Sequence, residues 1–281
     1  MSIGALFRAP IGPGGTEKQV FAAQLDRLMG LGAGLGEAGW ALLLLAPFVG
    51  SFLGVVIRRL PEGRPIVRGR SLCEWCSARL TPRDLVPLIS WLAARGRCRH
   101  CGHPLGWFYP GVELAALAVA AIALAVDGVE QAWLDCLLGW WLLALGWIDA
   151  RCWLLPDALT LPLLVLGLAL AAVSAPEELA DRAAAAALGY LALRAVAWIY
   201  HRLRHREGLG QGDAKLFATA GAWLGTAALP QVILVAALAA LVAAAGLALA
   251  GTRMRAHSAL PFGPFLALAT WLLWLFGPLS L

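Results

Sequence analysis

Charge is scarce in this sequence. Only 14% of its 281 residues are charged, where an ordinary soluble domain carries about a quarter, and 60% are hydrophobic, with a mean hydropathy of +0.75. That deficit excludes a water-soluble globular domain and points to a membrane. Several catalytic signatures are also missing. There is no Gly-x-Ser-x-Gly elbow and no His-Glu-x-x-His helix, which argues against an α/β-hydrolase or a zinc protease of that type. The run Gly208-Leu-Gly210-Gln-Gly212 has no strand before it and no Gly-Lys-Ser/Thr after it, so it does not read as a phosphate loop. The first residues, Met1 to Glu37, are mixed, Gly-rich and net neutral, without the basic start and short apolar run of a secretory signal. The expectation is a retained tail, 1–37. No internal repeat is evident.

What is present is apolar sequence in helix-length windows. A crossing needs about 20 residues, and the clearest charge-free window is Ala38 to Ile57, giving a first transmembrane helix within 38–60. Further candidates are Phe108 to Val126, Ala132 to Ile148, Ala158 to Ser174 and Ala183 to Tyr200. Leu216 to Thr252 has no charged residue at all and is too long for one crossing, so a hairpin is expected at Pro230. Leu260 to Leu281 completes a count of eight. The fold class is therefore an all-α polytopic membrane protein of about eight transmembrane helices.

The formal charge of +5 comes from arginines in alternate loops. Ten lie between Arg58 and Arg99; Arg151, then Arg202, Arg204, Arg206 and Lys215, then Arg253 and Arg255 follow. The intervening loops, Asp127 to Gln131, Ala175 to Ala180 and the turn at Pro230, are acidic or neutral. Basic loops are retained in the cytoplasm, so both termini are expected outside it. Read as topology signals, these arginines give no reason to expect a nucleic-acid partner.

The one large polar segment, 61–107, carries Cys73-Glu-Trp-Cys76 and, 21 residues later, Cys98-Arg-His-Cys101. Two such knuckles bring four thiolates around one tetrahedral zinc. Disulfides are the competing reading, but a basic loop faces a reducing compartment, where paired cysteines hold metal. Four protein ligands leave no open position, so the zinc would be structural. His100 and His103 lie beside the second knuckle; Cys136 and Cys152 read as packing residues.

An ionisable side chain at the end of an apolar span is costly and is a functional candidate for that reason. Asp149, closing the third span in Gly146-Trp-Ile-Asp149, and Asp213, opening the sixth in Gly210-Gln-Gly212-Asp213, fall on the same membrane side. Two close carboxyls share one proton, so that one polarises a carbonyl and the other activates water. Gly210 and Gly212, without Cβ, would let the backbone beside Asp213 turn tightly. Asp213 also reads as a helix cap, and Asp157, at a helix start after Pro156, is the rival to Asp149.

Several stretches together resemble one family. Gly50-Ser-Phe-Leu-Gly-Val-Val-Ile57 with Arg59-Leu-Pro61, Arg70-Ser-Leu-Cys73 with Cys76, Asp84-Leu-Val-Pro87, Ser90-Trp91, Gly96-Arg-Cys98-Arg-His-Cys101-Gly102, Tyr109-Pro110, Glu113, Ile148-Asp149, Leu155-Pro-Asp157 and Gly210-Gln-Gly212-Asp213-Ala-Lys-Leu216 are similar to the type IV prepilin leader peptidase/N-methyltransferases. The resemblance implies Asp149 and Asp213 as catalytic aspartates, a cytoplasmic zinc domain at 61–107 associated with methyl transfer, and a transmembrane aspartic peptidase over 108–281. It implies prepilin and pseudopilin substrates, cut after a glycine at the cytoplasmic face of the bacterial inner membrane, and S-adenosylmethionine as methyl donor to the new N-terminus. Glu113, Gly96 and Arg97 are the candidates for methyl transfer. Gly54 stands where the family usually has Asn, and Glu74 where Pro is common. The reading from another class is a transporter or assembly scaffold using the two aspartates as an ion site.

Overall fold

In the computed structural model, residues 36–67, 71–204, 210–250 and 260–278 are described. The N-terminal tail 1–35, Arg70, Gly208, Arg206, Arg253 and Arg255 lie outside the described residues. Helices account for almost all of the order. Among the described residues the only β pairings are two isolated bridges, Leu72 with Arg79 and Arg97 with Pro104, which close the two cysteine knuckles.

The apolar windows become helices, with edges a few residues wider than the charge-free limits. Helix α1 is Gly36–Arg59, and the short α2 is Ile89–Ala93. Helix α3, Phe108–Cys152, runs for 45 residues, about 68 Å at the usual helical rise and thus twice a bilayer core. It is two helices joined at Gly128, whose φ of 74° and ψ of −175° are not helical. Helices α4 (Asp157–Ser174), α5 (Leu179–Arg204), α6 (Gln211–Leu224), α7 (Leu229–Leu249) and α8 (Gly263–Phe276) follow. Among the described residues, five helical segments are long and apolar enough to cross a membrane. The chain is a polytopic membrane protein.

The long uncharged stretch does break, but five residues before Pro230. Gly225 takes φ 81°, which only glycine adopts freely, and the turn Thr226–Ala228 follows. The Asp181 carboxylate holds that turn by accepting the Thr226 backbone N–H at 3.0 Å. Pro230 instead sits in the first turn of α7, where its missing N–H has no helical partner to lose.

The described residues form two compact units, one up to Trp140 and one from Trp141 onward. In the first, α1 lies against the start of α3 through glycines. A Cβ on Gly50 would come within 2.6 Å of the Glu113 Cα, and one on Gly54 within 2.8 Å of the Tyr109 ring. In the second unit α6 is the core element, packed by α4, α5, α7 and α8 and buried along most of its length. Small residues again permit the approach: Gly221 meets the Ala185 backbone and Gly167 accepts the Trp223 ring, the packing by which membrane helices associate without a hydrophobic drive. Trp223 donates its indole N–H to the Leu163 carbonyl at 2.9 Å, and buried Arg182 donates to the Trp223 carbonyl at 2.7 Å, closing the end of α6. Helix α7, by contrast, is apolar all round and mostly exposed, with Leu241, Val242 and Leu249 bare. A lipid environment accounts for that surface.

Candidate active site and metal centre

Both aspartates are placed by helix ends. Asp149 lies in the last turn of α3, beyond which Trp153 adopts a left-handed φ of 56° and turns the chain. Its carboxyl is buried, and its Oδ2 accepts the backbone N–H of Gly263 at 3.0 Å. Gly263 is the first residue of α8, so this N–H is one of the donors that a helix N-terminus leaves without an internal partner. A Cβ at that position would lie 2.6 Å from Oδ2; only glycine fits. Asp213 is the third residue of α6, also buried, and its carboxylate accepts the backbone N–H of Gly210, the N-cap. That is the return half of a capping box. Each carboxyl thus faces the positive end of a helix dipole, and the two are close enough for the charge of Asp149 to act on Asp213.

Of the glycines beside Asp213, Gly212 has a packing role. Gly210 is extended at φ −68° and ψ 147°, and neither it nor Gly212 is among the left-handed glycines. A Cβ on Gly212 would meet the Leu155 Cβ at 2.8 Å, so the absent side chain lets the 155–157 segment lie against the loop. Asp157 completes that contact through an ion pair with Lys215 at 2.5 Å. It is exposed, and its carboxylate is already engaged there.

In the first unit Cys73, Cys76, Cys98 and Cys101 converge, all four sulfurs lying within 4.8 Å of one another. The Cys73 and Cys101 sulfurs are 3.9 Å apart, well beyond a disulfide bond and close to the separation of about 3.8 Å that tetrahedral ligands have at ordinary zinc–sulfur lengths. The backbone N–H groups of Cys76 and Trp75 pull the Cys73 thiol down to about 6. The N–H of His103 acts on Cys101 in the same sense, yet burial and the thiols of Cys98, Cys76 and Cys73 push it up to about 11. Crowded thiolates need a cation, and the donor set fits one metal ion. His103 is not among the ligands: its ring stacks on Trp75 at 3.9 Å. Nearby, Asp84 accepts the hydroxyl and the backbone N–H of Thr81 and pairs with Arg99, contacts that hold its carboxyl below the usual range.

Beside the cysteines lies a cavity of about 520 Å³ lined by Ser51, Arg58, Trp91, Arg97, Tyr109 and Glu113, among others. Glu113 is buried, and its Oε2 accepts the Leu88 backbone N–H at 2.8 Å; Leu88 is held at φ 59°, a costly conformation for a side-chain-bearing residue. Gly96 does not line the cavity. Its φ of 67°, with the Trp91 ring 3.0 Å from where a Cβ would be, makes it a support for Trp91.

A family model described as the bacterial peptidase A24 N-terminal domain matches residues 44–126, and one described as the type IV leader peptidase family matches residues 136–245. The chain is 43% identical to a prepilin leader peptidase/N-methyltransferase of Burkholderia pseudomallei over 252 residues, covering 80% of this chain and 81% of the relative. Relatives of the same description from Aeromonas hydrophila and Pseudomonas aeruginosa are 39% and 38% identical, each match covering 84% of this chain and 90% and 89% of the relative. The chain belongs to the type IV leader peptidase family. It is accordingly a peptidase. No solved structure matches it.

The peptidase's departures from its family's usual residues have local explanations. Gly54 leaves the space that the Tyr109 ring fills. Glu74 forms an ion pair with Arg58, whose guanidinium lies over the rings of Phe108 and Tyr109 at 4.6 and 4.9 Å. The residue that sequence reasoning missed is Gly263. Its signal was a glycine between prolines, Pro261-Phe-Gly263-Pro264, at the start of the last apolar run.

Proposed function

We propose that this peptidase cleaves the leader from prepilins and pseudopilins after a glycine at the cytoplasmic face of the bacterial inner membrane, in support of pilus assembly or type II secretion, and that it then N-methylates the new N-terminus. The observation that carries the reading is the pair of buried carboxyls, Asp149 and Asp213, at the ends of apolar helices in a chain whose relatives are named for this activity. With one carboxyl protonated and one ionised, the neutral acid donates a hydrogen bond to the scissile carbonyl. The carboxylate takes a proton from the attacking water. The new C–O bond forms, the C–N bond breaks, and the proton passes to the departing amine.

Four cysteines would hold one zinc ion that orders segment 61–107. S-adenosylmethionine, when bound, supplies the methyl group. Eight crossings, with both termini outside the cytoplasm, agree with two helices in α3 and with the arginine-rich loops at Arg58 to Arg99 and Arg202 to Arg204.

The test is cleavage of a membrane-inserted prepilin by wild type and by Asp149→Asn and Asp213→Asn, at matched abundance. Each substitution is expected to slow cleavage by about 10²-fold or more, the usual contribution of a general acid or base. Full cleavage by either variant removes that residue from the mechanism. A wild type that cuts no prepilin favours the transporter or scaffold reading.

A further inference from the structure

Helix α2, Ile89-Ser-Trp-Leu-Ala93, has no charged residue and is covered on one side only. Ser90, Trp91 and Ala94 face the cavity beside the cysteines. Ile89 and Leu92, three positions apart and so on one face, point the other way and are 67% and 66% exposed. Two contacts set the level at which that face lies. The Leu88 N–H reaches the Glu113 carboxylate at 2.8 Å, and Glu113 stands five residues inside α3 from Phe108, about 7.5 Å along the helix. Leu88 makes this contact at φ 59°, so the depth is held against a backbone cost. At the other edge the Trp91 ring packs 4.4 Å from the Trp107 ring and donates its indole N–H to the Gly106 carbonyl at 3.0 Å. Trp107 is the residue before α3 and is 69% exposed, the placement of an aromatic at the boundary between a membrane and water. Helix α2 is thus pinned beside the first turns of a membrane-spanning helix.

Charge around it has one sign left over. Segment 61–107 has eight arginines and three carboxylates, and each carboxylate is already paired, Glu62 with Arg64, Glu74 with Arg58 and Asp84 with Arg99. Arg83 and Arg95, which flank α2 in the sequence, are exposed.

We propose that Ile89, Leu92 and Trp107 form a membrane-docking face that inserts into the bilayer interface, with Arg83 and Arg95 on anionic headgroups beside it. The occupant is lipid because of depth and charge together. Interfacial apolar faces sit about 5–10 Å into the boundary between headgroups and acyl chains, the range in which the Glu113 contact holds α2, and the surplus guanidinium charge matches a negatively charged leaflet. Segment 61–107 is joined to the membrane at its two ends by α1 and α3. A third point of attachment at α2 keeps the cysteine knuckles lying against the bilayer instead of swinging into water. The inference requires only that α1 and α3 span the membrane, and it is independent of the cleavage and methyl-transfer reactions.

The experiment uses full-length, zinc-loaded protein in nanodiscs of phosphatidylcholine and phosphatidylglycerol, with photoreactive benzoylphenylalanine in place of Ile89, of Leu92 or, as a control, of the exposed Arg79. Irradiation is expected to attach phospholipid at 89 and 92 in clear excess over 79, as read by mass spectrometry of the tryptic peptides. A second measurement follows trypsin cleavage after Arg95 in the nanodisc. The double variant Ile89→Asp, Leu92→Asp is expected to be cut about tenfold faster than wild type or more, since burial of one such side chain is worth at least that factor and cleavage follows the population of the open form. Zinc content checks the fold of the variant; should it lose the metal, the crosslink, which introduces no charge, decides alone. Lipid adducts at 89 and 92 no more abundant than at 79, adducts to protein in their place, or unchanged cleavage in a zinc-loaded double variant overturn the proposal.

Discussion

At the scale of single residues, Gly263 makes the sharpest claim. Its N–H reaches the Asp149 Oδ2 at 3.0 Å and it has no room for a Cβ, so Gly263→Ala must push either the carboxyl or the start of α8 aside. A displacement approaching 1 Å at a reacting group costs about 10²-fold in rate. Prepilin cleavage by Gly263→Ala is therefore expected to fall by that order with protein abundance unchanged, and near-normal cleavage would show that the contact does not set the geometry. The two aspartates themselves were legible in the sequence because an acid at the end of an apolar run has to be explained. Gly263 was not, since it lies 114 residues from its partner and a backbone N–H has no side-chain signature. At the glycines 210 and 212 the structure adds a packing role the sequence did not suggest: Gly210 is extended, and Gly212 leaves room for Leu155.

Between elements, the contact that sets the first turn of α6 against the start of α4 is the Lys215–Asp157 pair together with Leu155 on Gly212. An ion pair exposed to this degree contributes about 1 kcal/mol or less. Asp157→Asn is thus expected to keep cleavage within about tenfold of wild type, in contrast to Asp149→Asn, and an equal loss in both would return Asp157 to the catalytic group. The cysteine knuckles make a second prediction at this scale. Protein purified without chelator should carry one zinc ion, and Cys73→Ser should lose it and unfold segment 71–107 at lower temperature, as followed by metal analysis and limited proteolysis. Full zinc content in that variant would remove Cys73 from the ligand set. The knuckles could be read directly from spacing because each is local. The break between α6 and α7 could not: proline advertises itself as a breaker, but the chain turns at Gly225, where a positive φ and the Asp181 carboxylate act together, and Pro230 is tolerated in a first helical turn.

Across the whole molecule, length and charge decide the count of crossings. The 45 residues of α3 amount to about 68 Å of helical rise in total, broken at Gly128 and folded back so that Trp140 donates to the Ala116 carbonyl at 2.9 Å, and a bilayer core of about 30 Å admits them as two passes. Gly128, with its non-helical backbone, lies within the Asp127 to Gln131 segment that the charge pattern assigns to the outer face. Helices α6 and α8, at 14 residues each, span about 21 Å and are shorter than a core on their own, yet α6 is enclosed by four neighbours and need not meet lipid along its length. Short buried helices of this kind are why apolar windows alone misjudge span limits: the charge-free rule measures contact with lipid, whereas α6 is defined by contact with protein. The arginine distribution carries the proposed direction, which a fusion series tests. Alkaline phosphatase fused after residue 129 or after residue 177 should be active, and fused after residue 63 or after residue 153 inactive, because only exported enzyme folds with its disulfides. Activity at 63 together with inactivity at 129 would invert the orientation and move Asp149 and Asp213 to the outer face, away from any leader presented on the cytoplasmic side.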